Sequence, residues 1–237
     1  MQQTDLIKAV FEFVILIFSL CVHECAHAWM ASRLGDQTAR LEGRITLNPM
    51  YHVDPIGTLL FPALMIFGPL FSGGAMGGFL IGWAKPTPVI TRNFRKIVRD
   101  DNLTTLAGPA SNLLIVLVAF IVLAIVSVAV PNGHQLALIA FMGGVVQGAP
   151  PSLQALLMLC RLAILINLCL CFFNLLPIPP LDGSRLLRNT LPYNAVRVYD
   201  RIPMWGSYML MIFLGPTILG ALIGPALRMV LWGLVRV

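Results

Sequence analysis

Residues 102–160 contain no Asp, Glu, Lys or Arg, a run of 59 positions without a charged side chain. A soluble fold spreads charge over its surface, whereas a bilayer core excludes it. Two further charge-free runs, 55–84 and 202–227, repeat the pattern. Over the 237 residues only 11% are charged and 58% are hydrophobic, where a soluble domain carries roughly 25% charged residues. The chain is therefore expected to be an all-α polytopic membrane protein. Disorder, collagen and coiled coil are excluded by the same numbers. The net charge of +6 sits in short loops beside apolar runs. That placement points to membrane orientation and to the lipid bilayer as partner, with no nucleic acid. Five cysteines, all in or beside apolar segments, read as small buried apolar residues rather than a disulfide framework.

Five apolar stretches follow one another. They cover about 8–34, a segment beginning near Pro55, about 106–130, about 153–176 and 208–235. The first is expected to stay as a membrane helix rather than be cleaved as a signal peptide, because Asp5 offsets Lys8 and Glu12 interrupts its apolar core. The second dissolves into Ser72-Gly73-Gly74 and Gly77-Gly78, which predicts a re-entrant or extended segment near 73–90. The last contains Gly215-Pro216 and Gly224-Pro225 and reads as one kinked helix or a hairpin. About five to six transmembrane helices result. They form a single integral membrane domain over 1–237, with a core at 8–190 and a C-terminal helix or hairpin at 205–237. Pro180 to Pro192, with Leu186-Leu187 against Arg185 and Arg188, suits a short interfacial helix.

Chemistry concentrates at the end of the first stretch, in His23-Glu24-Cys25-Ala26-His27. On a helix, positions i and i+4 share a face, so both imidazoles can reach one cation. Glu24 lies beside the first of them, where a carboxylate can take a proton from a metal-bound water. A zinc site of this kind needs a third protein ligand and an open position. Cys25 lies roughly 200° around the helix from His23 and faces away. His134 sits in an uncharged loop. His52 and Asp54 are candidates, and Asp182, after the break at Pro177, Pro179 and Pro180, is the better placed. Asp182 could equally cap a helix that starts at Ser184.

Together these residues resemble the site-2 protease family of intramembrane zinc metalloproteases, in its compact form. The likeness is carried by His23-Glu24-Cys25-Ala26-His27, by Gly108-Pro109-Ala110-Ser111-Asn112 and by Leu181-Asp182-Gly183. Gly82-Trp83-Ala84-Lys85-Pro86-Thr87-Pro88-Val89 and Gly43-Arg44-Ile45-Thr46-Leu47-Asn48-Pro49 add to it. The resemblance implies one Zn²⁺ per chain held by His23, His27 and Asp182, with Glu24 as catalytic base. It places Asn112 and Asn174 near the reaction centre. It implies substrates that are transmembrane-helix proteins or peptides, and no PDZ or CBS domain.

For these residues to meet, stretches one and four must run parallel and stretch three antiparallel to both. Simple alternation of single spans fails this condition, and a segment at 56–83 that leaves and returns on one side restores it. Segments 32–55, 84–105 and 178–205, with twelve Lys or Arg residues, then share one side. By the positive-inside rule that side is cytoplasmic. The expectation is a multi-pass protein of the cytoplasmic membrane with its site near the cytoplasmic face. A transporter, or an inactive relative that binds membrane peptides, are the competing classes. The sequence leaves the oligomeric state open.

Overall fold

The computed structural model describes residues 3–71, 82–144, 146 and 148–237. Helix α1 spans Gln3–Leu34, and the single turn α2 spans Thr38–Leu41. A π-helical turn, Pro55–Leu60, runs directly into α3, Phe61–Phe71. Then come α4 (Ile97–Ala129), α5 (Gly133–Phe141), α6 (Pro151–Asn174), α7 (Asp182–Thr190), α8 (Tyr193–Tyr199) and α9 (Met204–Val235). Helices α1, α4, α6 and α9 are long and apolar enough to cross a bilayer, and Pro55–Phe71 is a shorter apolar helix. No strand occurs among the described residues.

The packing is that of a membrane bundle. Leu123, Leu157, Ile164 and Leu234 are fully buried and centre a core shared by α4, α6 and α9. On the opposite face of α4, Leu114, Leu117, Val118, Ile125 and Val128 are all exposed. Apolar rows of this length facing outward belong against lipid. Inside the bundle, the Asn167 amide donates to Ser19 Oγ at 2.9 Å and to the Ala163 carbonyl at 2.8 Å. Such polar pairs fix the register of membrane helices that gain nothing from hydrophobic sorting.

Contacts along the bundle set the directions. Ser19 of α1 meets Asn167 of α6, and further along α1 His23 and His27 meet Asp182 just beyond the end of α6, so these helices run parallel. His23 meets Asn112, while His27, further along α1, meets Thr104, earlier in α4, which is therefore antiparallel to both. The last stretch is one helix: Met211 near its start packs with Leu176 and Ile178, while Gly233 near its end lies against Phe120. The start of α1 and the end of α9 therefore lie at the end of the bundle away from residue 182.

Two elements differ from expectation. Helix α4 begins at Ile97, inside a stretch that reads as polar loop, and its 33 residues reach about 50 Å. The link between α4 and α6 is also partly helical. Asn132 adopts a left-handed backbone (φ 57°), and α5 folds back along α4, close enough that a Cβ on Gly133 would lie 2.0 Å from the Val126 carbonyl oxygen. Where a re-entrant or extended segment is expected, residues 82–90 have neither helix nor strand. Its glycine-rich part, 72–81, lies outside the described residues.

Candidate metal centre

The two histidines leave α1 four residues apart and point into the bundle, 4% and 7% exposed. Their Nε2 atoms are 3.0 Å apart. Asp182, the first residue of α7, brings Oδ2 to 3.2 Å from His23 Nε2 and 3.3 Å from His27 Nε2. No other cluster of three His, Cys, Asp or Glu side chains with this spacing occurs among the described residues.

This arrangement asks for a cation. His27 Nδ1 lies 2.7 Å from the Thr104 carbonyl, an acceptor only, so Nδ1 carries the proton and Nε2 presents a lone pair. A carboxylate oxygen with no hydrogen-bond donor completes a buried triangle of acceptors. Ligand atoms about 2.0–2.1 Å from a tetrahedral zinc lie about 3.3 Å from one another. The observed edges fit that ion. The alternative role of Asp182 as helix cap does not occur: the N-cap position of α7 is Leu181, which makes no side-chain cap, and the Asp182 carboxylate faces the imidazoles.

Helix α4 backs the centre. Thr104 holds the His27 ring through its carbonyl. Gly108 leaves room for both rings, since a Cβ there would lie 2.4 Å from His27 Nε2 and 2.6 Å from His23 Nε2. Asn112, fully buried, has Nδ2 at 3.2 Å from His23 Nδ1. Its Oδ1 has no partner. Turning the amide over presents Oδ1 to a protonated Nδ1 and frees His23 Nε2 for a metal.

The Leu-Asp-Gly sequence has a steric cause at Gly183. A Cβ there would sit 2.1 Å from the Leu175 carbonyl oxygen, so only glycine lets α7 start hard against the end of α6. Asn174, on the last turn of α6, donates from Nδ2 to the Leu170 carbonyl at 2.9 Å.

Glu24 faces the 82–90 segment. Its Oε2 accepts from the Thr87 backbone N–H at 2.9 Å and from the Thr87 hydroxyl at 2.8 Å. That segment is tied down on both sides of Thr87. Trp83 N–H donates to the Gly57 carbonyl, Lys85 N–H to the His52 carbonyl, and Ile90 N–H to Asp36. Sequence reasoning singled out the segment as a motif but not Thr87, whose part is visible only once the chain crosses Glu24.

The other candidate ligands have structural roles. His52 is buried with Nε2 at 2.8 Å from the Thr46 carbonyl. Asp54 caps the turn at Pro55–Leu60 by accepting from Ile56 N–H and Gly57 N–H. His134 Nδ1 lies 3.1 Å from Ser127 Oγ. All five cysteines are free.

Comparison with known proteins agrees with this geometry. The model of peptidase family M50 matches residues 11–215. The chain belongs to peptidase family M50, the site-2 protease family. It is similar to the "Putative zinc metalloprotease YwhC" of Bacillus subtilis, 36% identical over 201 residues, covering 85% of this chain and 77% of that one. It is also similar to the proteins named "Putative zinc metalloprotease Rip2" of Mycolicibacterium smegmatis and Mycobacterium tuberculosis. These are 30% identical over 202 residues and 31% over 209, covering 84% and 88% of this chain and 64% and 68% of theirs. No solved structure matches the chain.

Proposed function

We propose that this M50 protein hydrolyses peptide bonds within or near transmembrane segments of membrane-protein substrates. It would use one zinc ion held by His23, His27 and Asp182. The observation that carries the reading is the buried triangle of acceptor atoms 3.0–3.3 Å apart with Glu24 next to its first member. Bound zinc supplies the Lewis acidity that makes water nucleophilic near neutral pH. The chain supplies the rest. The Glu24 carboxylate is the acceptor for the proton of the attacking water and the group that returns it to the leaving amine. Thr87 holds that carboxylate in place through two donors on one oxygen. Asn112 acts on the His23 ring and so orients a ligand. Asn174 is the amide available to a developing oxyanion, once its bond to Leu170 is exchanged for one to the substrate.

Twelve of the sixteen Lys and Arg residues lie in segments 32–55, 84–105 and 178–205, all at the site end of the bundle. Lys8, Arg228 and Arg236 lie toward the other end. This asymmetry supports a cytoplasmic membrane location with the centre near the cytoplasmic side. His23 is eleven residues from the end of α1, about 16 Å, so the centre sits within the span rather than at its rim.

Glu24→Gln tests the reading. The variant is expected to retain zinc and to lose at least about 10²-fold in cleavage of a membrane-helix substrate, the usual contribution of a general base. Undiminished cleavage by Glu24→Gln removes the proposed base.

A further inference from the structure

Two of the three ligands need little help to stay together, because the helical repeat of α1 fixes His23 and His27. The third has no such guarantee. Asp182 opens a helix of nine residues that follows a proline-rich turn, and a helix that short is marginal in isolation. Something outside α7 must hold it at the distance a metal requires.

The structure shows a clamp on the far turns of α7. Asp101 of α4 is buried, 6% exposed, and both its carboxylate oxygens are engaged by α7. Oδ1 accepts from Arg185 Nη2 at 2.6 Å and Oδ2 accepts from Asn189 Nδ2 at 2.6 Å. Arg185 and Asn189 are four residues apart, on one face, so a single carboxylate grips α7 at two points one turn apart. Asn189 Nδ2 also reaches Asn102 Oδ1 at 2.8 Å.

Asp101 is also in register with the groups that hold the other ligands. Positions 101, 104, 108 and 112 fall within about 80° of one face of α4. Thr104 bonds His27, Gly108 makes room for both rings, and Asn112 meets His23. Asp101 reaches the remaining ligand through α7.

We propose that Asp101 is a positioning residue for the third metal ligand, acting through Arg185 and Asn189 to hold Asp182 at the zinc. This stripe of α4 then sets the geometry of the whole centre. The proposal rests on the zinc reading given above.

The test uses the full-length protein in lipid nanodiscs. Zn²⁺ is titrated against a chelator of known affinity, and Co²⁺ is substituted to read the coordination from its visible spectrum. Asp101→Asn and Arg185→Gln are each expected to weaken Zn²⁺ binding by about 10–100-fold, the range for losing a group that orients a ligand. Each should also alter the Co²⁺ spectrum. The double variant should bind no more weakly than the worse single one, since both break one contact. Arg185→Lys, which keeps the charge toward Asp101, should recover most of the affinity.

Unchanged affinity and spectrum in both single variants overturns the proposal and leaves the zinc reading standing. So does a loss that is additive in the double variant and not recovered by lysine, the mark of general destabilisation. Wild-type protein that takes up no zinc overturns the zinc reading instead. Should Asp101→Asn not fold, the Arg185 variants decide alone, because that side chain is 38% exposed and its replacement leaves the core intact.

Discussion

Asp36 shows how much one side chain can organise beside the centre. It is fully buried just beyond α1 and accepts four hydrogen bonds. They come from the Thr38 N–H and hydroxyl, the Ile90 N–H and the Asn93 amide. It therefore pins the end of α1 to the chain that leaves Thr87. Burial pushes the carboxyl upward, but the four donors outweigh it and hold the group below the usual aspartate value. A depressed folded value gives stability above the unfolded pKa, about 3.9, that is lost as pH falls through the folded one. Wild type is thus expected to exceed Asp36→Asn by about 2 kcal/mol near neutral pH. Thermal unfolding in detergent should show that gap constant above about pH 5 and closing below about pH 4. A gap that persists unchanged at low pH contradicts this assignment. Residue chemistry of this kind was only partly legible beforehand. His23, Glu24, His27 and Asp182 stand out because their types and spacing state a purpose. Thr104 acts through a backbone carbonyl, and no side chain announces that.

Among the helices, the sequence showed apolar runs well and polar helix poorly. The first turns of α4 contain Arg99, Asp100, Asp101 and Asn102, which read as loop because they lack the apolar pattern that marks a membrane helix. They are helical because α4 outlasts the hydrocarbon, and its extension carries the clamp on α7. Asp101 and Arg185 are 84 positions apart, and nothing local in either segment pairs them. Helix α5 is hidden for a different reason: nine residues that begin Gly133-His134-Gln135, set between turn formers, read as an uncharged loop. Arg161, half-buried on α6, explains how that helix ends. Its Nε donates to the Phe141 carbonyl at 3.1 Å, so the cation meets the negative end of α5. Replacing Arg161 by Met strips that end of its charged donor, a change of about 1.5 kcal/mol. Hydrogen exchange over 133–141 is expected to rise about tenfold in the variant while 19–27 stays protected. Unaltered exchange at α5 removes Arg161 as its cap.

For the whole molecule, the sequence argument from convergence anticipated the directions of α1, α4 and α6, because three distant motifs can meet in only one way. It could not choose between helix and hairpin for the last stretch. Gly and Pro pairs weaken a helix in water, yet α9 continues through Pro216 and Pro225. A single span sends the C-terminus to the same side as the N-terminus. With the native cysteines buried or half-buried, a cysteine in place of exposed Arg92 should resist an impermeant reagent added outside intact cells. One in place of Val237 should react, and the reverse pattern inverts the orientation. The central claim is the composition of the metal centre, and zinc X-ray absorption on the purified full chain reads it directly. One zinc per chain is expected, with two imidazole nitrogens and oxygen ligands at about 2.0–2.2 Å. Sulfur in the zinc shell at about 2.3 Å, or protein purified without bound zinc, contradicts it.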